Sequence, residues 1–344
     1  MNNRTLIAID LAKNIFQVCR VSKAGKIQSN KAMSRQQLHT YLANSNPAVV
    51  AFEACGSAHY WGRFAQSCGH SVRMLPAKLV KAFRQGHKTD KTDAQAIALA
   101  AQHPDIQSCQ LKTIDQQTIQ SLETSRGFIS KQCTALANNI RALVYEYGLT
   151  IPKGKSSLFK RIPCILEDAE NGFPLCLRAT LNTLCEQLKS HEDCLKQINK
   201  EKAQMSNSME PCQRLIALEG VGPVVSSLLY ASIGDGKMFK NGRAAATYVG
   251  VTPKQHSSGG KTVIVGITKH GGDKQLRAAL YQGALSVISH LPDVPTTEKQ
   301  RWLIALVQRA GIKRACIALA NKTVRTAWAL LSSGDEYRQQ PLNI

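Results

Sequence analysis

Acidic residues are scarce in this chain. Only 23 Asp and Glu stand against 44 Lys and Arg, a formal net charge of +21. An excess of that size repels itself in a compact state and points to a polyanionic partner, nucleic acid before any other. The deficit is uneven: residues 1–125 carry 15 basic and 7 acidic side chains, 126–210 carry 12 and 9, and 211–344 carry 17 and 7. The two ends are therefore the candidate nucleic-acid surfaces, and each carboxylate in the first segment needs a reason. Other features are missing too. The 11 cysteines include no C-x-x-C pair, which excludes a zinc ribbon and a secreted disulfide framework and leaves reduced thiols in a cytoplasm. No apolar stretch approaches the ~18–20 residues of a membrane span, and the run in MNNRTLIAIDLAKN is too short for a signal peptide. There is no internal repeat and no second glycine-rich phosphate loop, which argues against a sugar kinase or actin-like ATPase.

What is present reads as two domains and a connector, the natural division of 344 residues. The boundaries are expected at 1–125, 126–210 and 211–344. Short apolar runs predict strands at Thr5–Ile9, Ile15–Val21, Ile27–Lys31, Ala48–Phe52 and Ser71–Leu75. Helices are expected from a Ser34 cap to about Leu42, over His59–Cys68, from Pro76 to about Arg84, and from about Asp93 onward. Three strands followed by alternating helices and strands suit a mixed sheet flanked by helices, an α/β domain of RNase-H-like type. From Gln116 to about Lys202 the pattern is that of long polar helices, packing as a helical hairpin or coiled coil, with a break over Ile151–Pro174. The last segment is expected to be mainly helical.

Three constellations carry candidate chemistry. Asp10 and Glu53 each end a predicted strand, where ligands gather in open α/β sheets. Asp90 and Asp93 lie three apart at a helix start. Singly each is an ordinary turn or cap residue. Together they are most of the acids in a basic segment, and carboxylates held together repel unless bridged by a hard cation such as Mg²⁺. Second, Gly220-Val221-Gly222 separates two apolar helices, like the helix-hairpin-helix element that holds a phosphate backbone; a tight turn chosen for sterics is the plainer account. Third, Ser257-Ser258-Gly259-Gly260 is followed by Lys261, with Lys254, Lys269 and Arg277 nearby. A serine attacking a phosphodiester needs such cations, yet spacing alone fits a flexible polar loop better. Gly220, Gly222, Lys254, Lys261, Lys269 and Arg277 are the candidate nucleic-acid contacts.

The strings AIDLAKN, AFEACG, HKTDKTDAQA and GVGP…YVGVTPKQHSSGGK…ITKHGGDKQLRAAL, in this order, resemble the DEDD-type insertion-sequence transposases, the IS one-ten family and its IS eleven-eleven branch, and also the Piv-type DNA invertases. The resemblance runs from about residue 5 to 335 and is weak in the middle helices. It implies a RuvC-like first domain in which Asp10, Glu53, Asp90 and Asp93 bind Mg²⁺, and a last domain, the family's transposase domain, whose nucleophilic serine precedes glycine. Here that serine is Ser258, with Ser257 the alternative. It further implies a phosphoserine intermediate, donor and target DNA as substrates, and a structured guide (bridge) RNA from the element's non-coding end. A homo-tetramer, built as a dimer of dimers in the bacterial cytoplasm at the nucleoid, completes the expectation. The rival reading of the same carboxylates is a Holliday-junction-type metal-dependent nuclease that hydrolyses with water. A binder without catalysis is a further rival, but it gains nothing from carboxylates clustered near phosphates.

Overall fold

The computed structural model describes residues 4–267, 272–338 and 341–342. The chain forms two compact units, Met1–Thr113 and Ile114–Ile344. Among the described residues no helix is long and apolar enough to cross a membrane.

The first unit is built on β1 (Leu6–Asp10), β2 (Ile15–Val21), β3 (Ile27–Ser34), β4 (Val49–Glu53) and β5 (Ser71–Leu75), in the order β3-β2-β1-β4-β5. The first three strands form an antiparallel meander; β4 and β5 join in parallel, as strands reached through helices must. Those crossovers are α1 (Arg35–Asn44) and α2 (Ala58–Ser67), followed after β5 by α3 (Ala77–Val80) and α4 (Asp90–Gln102). Residue parity sorts the two faces of the sheet. Ile7, Ile9, Val50 and Phe52 pack with Leu38, Leu42 and Trp61 of α1 and α2. Leu6, Ala8, Val49 and Ala51 pack with Ala94, Ile97, Ala98 and Ala101 of α4, whose alanines let the helix lie close to the sheet. Ser34 caps α1 in the expected place, through a full capping box with Gln37.

Local differences from the sequence expectation have simple causes. The helix expected from Asp93 starts at Asp90, because Thr89 and Thr92 form a reciprocal capping box within a polar run that reads as loop. The helix opened by Pro76 ends at Val80 and tightens into a 3₁₀ turn, Lys81–Phe83.

The second unit opens with α5 (Ile114–Tyr145), α6 (Lys155–Glu167) and α7 (Leu175–Ser208). α5 and α7 run antiparallel: Glu123 pairs with Lys202 and the Cys133 thiol donates to Glu192. The expected break over Ile151–Pro174 holds α6, which tolerates Pro163 and buries Leu158, Ile162 and Ile165 against both long helices. Residue 126 falls inside α5. Residues 114–125 pack in this unit rather than with the sheet: Gln116 is buried and donates to the Tyr230 carbonyl at 3.3 Å, and Glu123 is buried between Arg126 and Lys202.

The rest is α8 (Glu210–Ile216), α9 (Pro223–Ile233), α10 (Gly242–Val249), a hairpin of β6 (Pro253–Ser258) and β7 (Lys261–Ile267), α11 (Lys274–Ser289), α12 (Glu298–Ala310) and α13 (Ile312–Ser333). Its core is formed by α8 to α11 and α13, with Leu229, Ile233, Val249, Leu276 and Val324 at its centre. The region is mainly helical as expected, apart from the hairpin. A polar loop was the plain expectation there; Gly259 and Gly260, at φ +55° and +77°, supply the tight two-residue turn that pairs the flanking residues instead.

Candidate active site

The parallel register sets Ile9 beside Phe52, so the next residues, Asp10 and Glu53, leave adjacent strands side by side. By parity both continue the face that packs on α4. The first turn of α4 brings Asp90 and Asp93, where carboxylates also favour the helix dipole. Asp10, Glu53 and Asp93 line one cleft of about 540 Å³; Asp90 is exposed beside it and is not among the lining residues.

Asp10 senses the other three carboxylates. Burial, and then the charges of Asp93, Asp90 and Glu53, push the Asp10 carboxyl up to about 6, against a smaller opposing pull from Lys88. The four carboxylates do not close into a cage: among the described residues no three Asp, Glu, His or Cys side chains form a metal-ligand group. Asp93 is engaged by two cations instead, Arg84 at 3.4 Å and Lys88 at 3.6 Å. Lys78 and Lys81 also line the cleft. The donor set nonetheless fits a hard divalent cation by its chemistry, since every candidate ligand is a carboxylate oxygen and the repulsion at Asp10 is what a cation relieves.

Two groups of residues here escaped the sequence reading. One is the basic rim of Lys78, Lys81, Arg84 and Lys88, which α3, the 3₁₀ turn and the segment after it bring to the cleft. A polar relay was not visible at all. The buried Gln17, opposite Asp10 in the antiparallel register, donates to Asn30 at 2.7 Å, and Asn30 donates to the Lys91 carbonyl at 3.0 Å. It ties the first turn of α4 to the meander, fixing the two pairs of carboxylates relative to each other.

The serine pair lies at the end of the exposed hairpin. Ser257 pairs with Thr262 and Ser258 with Lys261, so the two side chains leave opposite faces. The Ser257 hydroxyl is held by Thr262 at 3.1 Å and by Gln255 at 3.0 Å. The Ser258 hydroxyl has no hydrogen-bond partner among the described residues and is exposed. Lys254 and Lys261 are exposed on the same hairpin, and Lys269 lies outside the described residues.

The glycine turn divides between the two accounts. Gly220 has φ +76°, and a Cβ on it would meet the Gly283 carbonyl oxygen at 2.7 Å, so close packing on α11 explains this glycine. Gly222, the residue before α9, faces open space. Arg277 lies one turn into α11, behind the Asp273 cap.

The comparisons with known proteins bear on both sites. The DEDD transposase family of IS110 elements matches residues 7–148, and the transposase family described as IS116/IS110/IS902 matches residues 212–299. The transposase for insertion sequence element IS1111A of Coxiella burnetii is 35% identical over 338 residues, covering 98% of this chain and 92% of that one. The chain belongs to this transposase family. As such it is an enzyme, a DNA transposase or recombinase. Similarity extends to a probable family 20 transposase of Pseudomonas aeruginosa, 34% identical over 98% of this chain and 99% of its own length. It reaches, at 22% over 96% of both chains, the pilin gene-inverting protein of Moraxella bovis. The first family match contains all four carboxylates and the second contains both serines.

Proposed function

We propose that this transposase exchanges DNA strands by serine attack, assisted by a divalent cation at the carboxylate cleft. The observation that carries the reading is the contrast within the serine pair: Ser257 is tied across the hairpin, while Ser258 is exposed and has no hydrogen-bond partner among the described residues. The Ser258 oxygen bonds to phosphorus as one bridging P–O bond breaks. The serine loses its proton, the departing sugar oxygen gains one, and the phosphodiester bond energy is kept in the protein–DNA link. Attack by a sugar hydroxyl of another strand reverses the step and releases Ser258. Lys254 and Lys261 on the hairpin meet the phosphate charge.

Asp10, Glu53, Asp90 and Asp93 would hold Mg²⁺. Bound there, it supplies charge stabilisation and orientation at the phosphodiester. Arg84 and Lys88 compensate the carboxylates meanwhile, and the basic rim guides a phosphate backbone into the cleft. The strand order β3-β2-β1-β4-β5 with acids at the ends of β1 and β4 supports the RuvC-like, RNase-H-like assignment of this unit. The wider proposal follows the family resemblance. A structured guide RNA pairs with donor and target DNA, and the long α5–α7 helices serve as a coiled-coil arm of a homo-tetramer in which one subunit's carboxylates work with another's serine. Base pairing then supplies sequence choice, while the protein reads backbone and shape.

Strand exchange on a junction substrate, with Mg²⁺ and the element's non-coding RNA, tests the reading. Wild-type protein gives exchanged product, and Ser258→Ala gives none. Cleavage that survives Ser258→Ala would move the protein to the metal-dependent nuclease reading.

A further inference from the structure

One recess in the second unit has no part in either site described above. It is a groove of about 1470 Å³ running along one face of α13 and walled on one side by Pro253 and Ile264 of the hairpin. Its residues on α13 recur about every four positions, from Lys313 to Ala329, which makes them a single helical stripe. The opposite stripe, with Cys316, Leu319, Ala320, Val324 and Ala327, is buried in the core.

Four cations stand along the groove: Lys313, Arg314, Lys322 and Arg325, all exposed. Among the described residues none of them is ion-paired and no carboxylate lines the groove. Two of the chain's three tryptophans, Trp302 and Trp328, lie in its walls. The Lys322 ammonium sits 4.8 Å from the centre of the Trp302 ring, so this ring already receives a flat-face contact. Lys313 to Arg325 spans about 18 Å of helix, room for roughly five stacked phosphates at ~3.4 Å each.

We propose that this groove binds a single strand of nucleic acid, with its phosphates on Lys313, Arg314, Lys322 and Arg325 and bases stacked on Trp302 and Trp328. A row of unpaired cations attracts any polyanion; recessed tryptophan faces select unstacked bases, which a duplex hides. The position gives the binding a purpose. Ile264 pairs with Gln255, only three residues, or about 10 Å, along the strand from Ser258. A strand held in the groove therefore reaches the serine by following the hairpin. That purpose rests on the strand-transfer reading; the binding itself does not.

The test uses the full chain without divalent metal, so that no cleavage enters. Fluorescein-labelled oligo-dT and oligo-rU of about 12 nucleotides, within the ~4–16 that such grooves accommodate, are titrated by anisotropy, with a duplex of equal length alongside. The triple variant K313E/K322E/R325E is expected to bind single strands at least tenfold more weakly, and to lower the slope of log affinity against log salt by about 2. Wild-type tryptophan fluorescence is quenched on binding, and Trp302→Phe loses part of that quench. The arm that binds tighter tells whether the resident strand is DNA or RNA. An equal charge reversal on the helical arm, K160E/K189E/K200E, serves as control. Single-strand affinity within about twofold of wild type, an equal loss in the control, or a loss confined to the duplex would each overturn the assignment. Covalent DNA attachment at Ser258, assayed separately with Mg²⁺, reports on the strand-transfer reading, so either claim can fail while the other stands.

Discussion

The carboxylate cleft and the serine hairpin are built in opposite ways. Asp10 and Glu53 extend strands whose neighbours Ile9 and Phe52 are completely buried, with helices packed on both faces of the sheet. Ser258 ends a two-stranded ribbon whose Val263, Ile264 and Val265 are all more than half exposed. A charged site needs rigid backbone because its groups repel one another and must be held together against that repulsion. A nucleophile carried on a ribbon with few contacts to the core needs only its hydroxyl free, and such a ribbon is marginally stable until something packs on it. The carboxylates thus stand on a packed scaffold, whereas the serine stands on a ribbon whose apolar side chains are left largely uncovered among the described residues.

The largest expected effect is on activity at the carboxylate cleft. Glu53→Gln and Asp10→Ala should each abolish strand exchange while leaving the circular dichroism spectrum unchanged; exchange at a near-normal rate in either variant would remove the cleft from the chemistry. Stability should separate the two regions next. Ile9→Ala, which empties a fully buried position, is expected to cost about 2–5 kcal/mol in urea unfolding, whereas Val263→Ala should stay within about 0.5 kcal/mol. Equal losses would mean that the hairpin is packed in solution. A smaller effect is expected at the polar relay. Asn30→Ala frees the first turn of α4 from the meander, and should slow exchange several-fold with stability lowered by only about 1 kcal/mol, the net worth of a typical hydrogen bond.

The smallest effect has a sign that is easily checked. Asp10 has its carboxyl raised to about 6 in the folded protein, above the ordinary Asp value in the unfolded chain. Between those two values the folded state binds more protons, so stability falls as pH rises toward 6 and the penalty is fully present at pH 7. Without metal, Asp10→Asn should therefore be more stable than wild type at pH 7, by on the order of 1–2 kcal/mol, and the gain should vanish near pH 4. A destabilised Asp10→Asn under those conditions would contradict a carboxyl raised by burial and by its three acidic neighbours.

The same contrast governs what could be read from the sequence. Short apolar runs mark these strands, so β1, β2, β4 and β5 lie within a residue of their expected bounds, and the acids that end β1 and β4 stand out in a basic segment. The hairpin has no such signature. PKQHSS is polar throughout, and only the Gly259–Gly260 turn hinted at pairing. Helix α6 was hidden by the prolines and glycines on either side of it and by Pro163 within it. The relay through Gln17 and Asn30 depends on register, and the groove on α13 depends on which helices pack behind it; single-residue patterns carry neither.

The central claim is that Ser258 links covalently to DNA. The direct measurement incubates the protein with Mg²⁺, its non-coding RNA and end-labelled junction DNA, denatures the mixture, and looks for label retained on protein, with the attachment site mapped by mass spectrometry after nuclease digestion. An adduct on Ser258 that persists in Ser257→Ala and disappears in Ser258→Ala is the expected result. Clean cleavage with no adduct, or an adduct on Ser257, would contradict it.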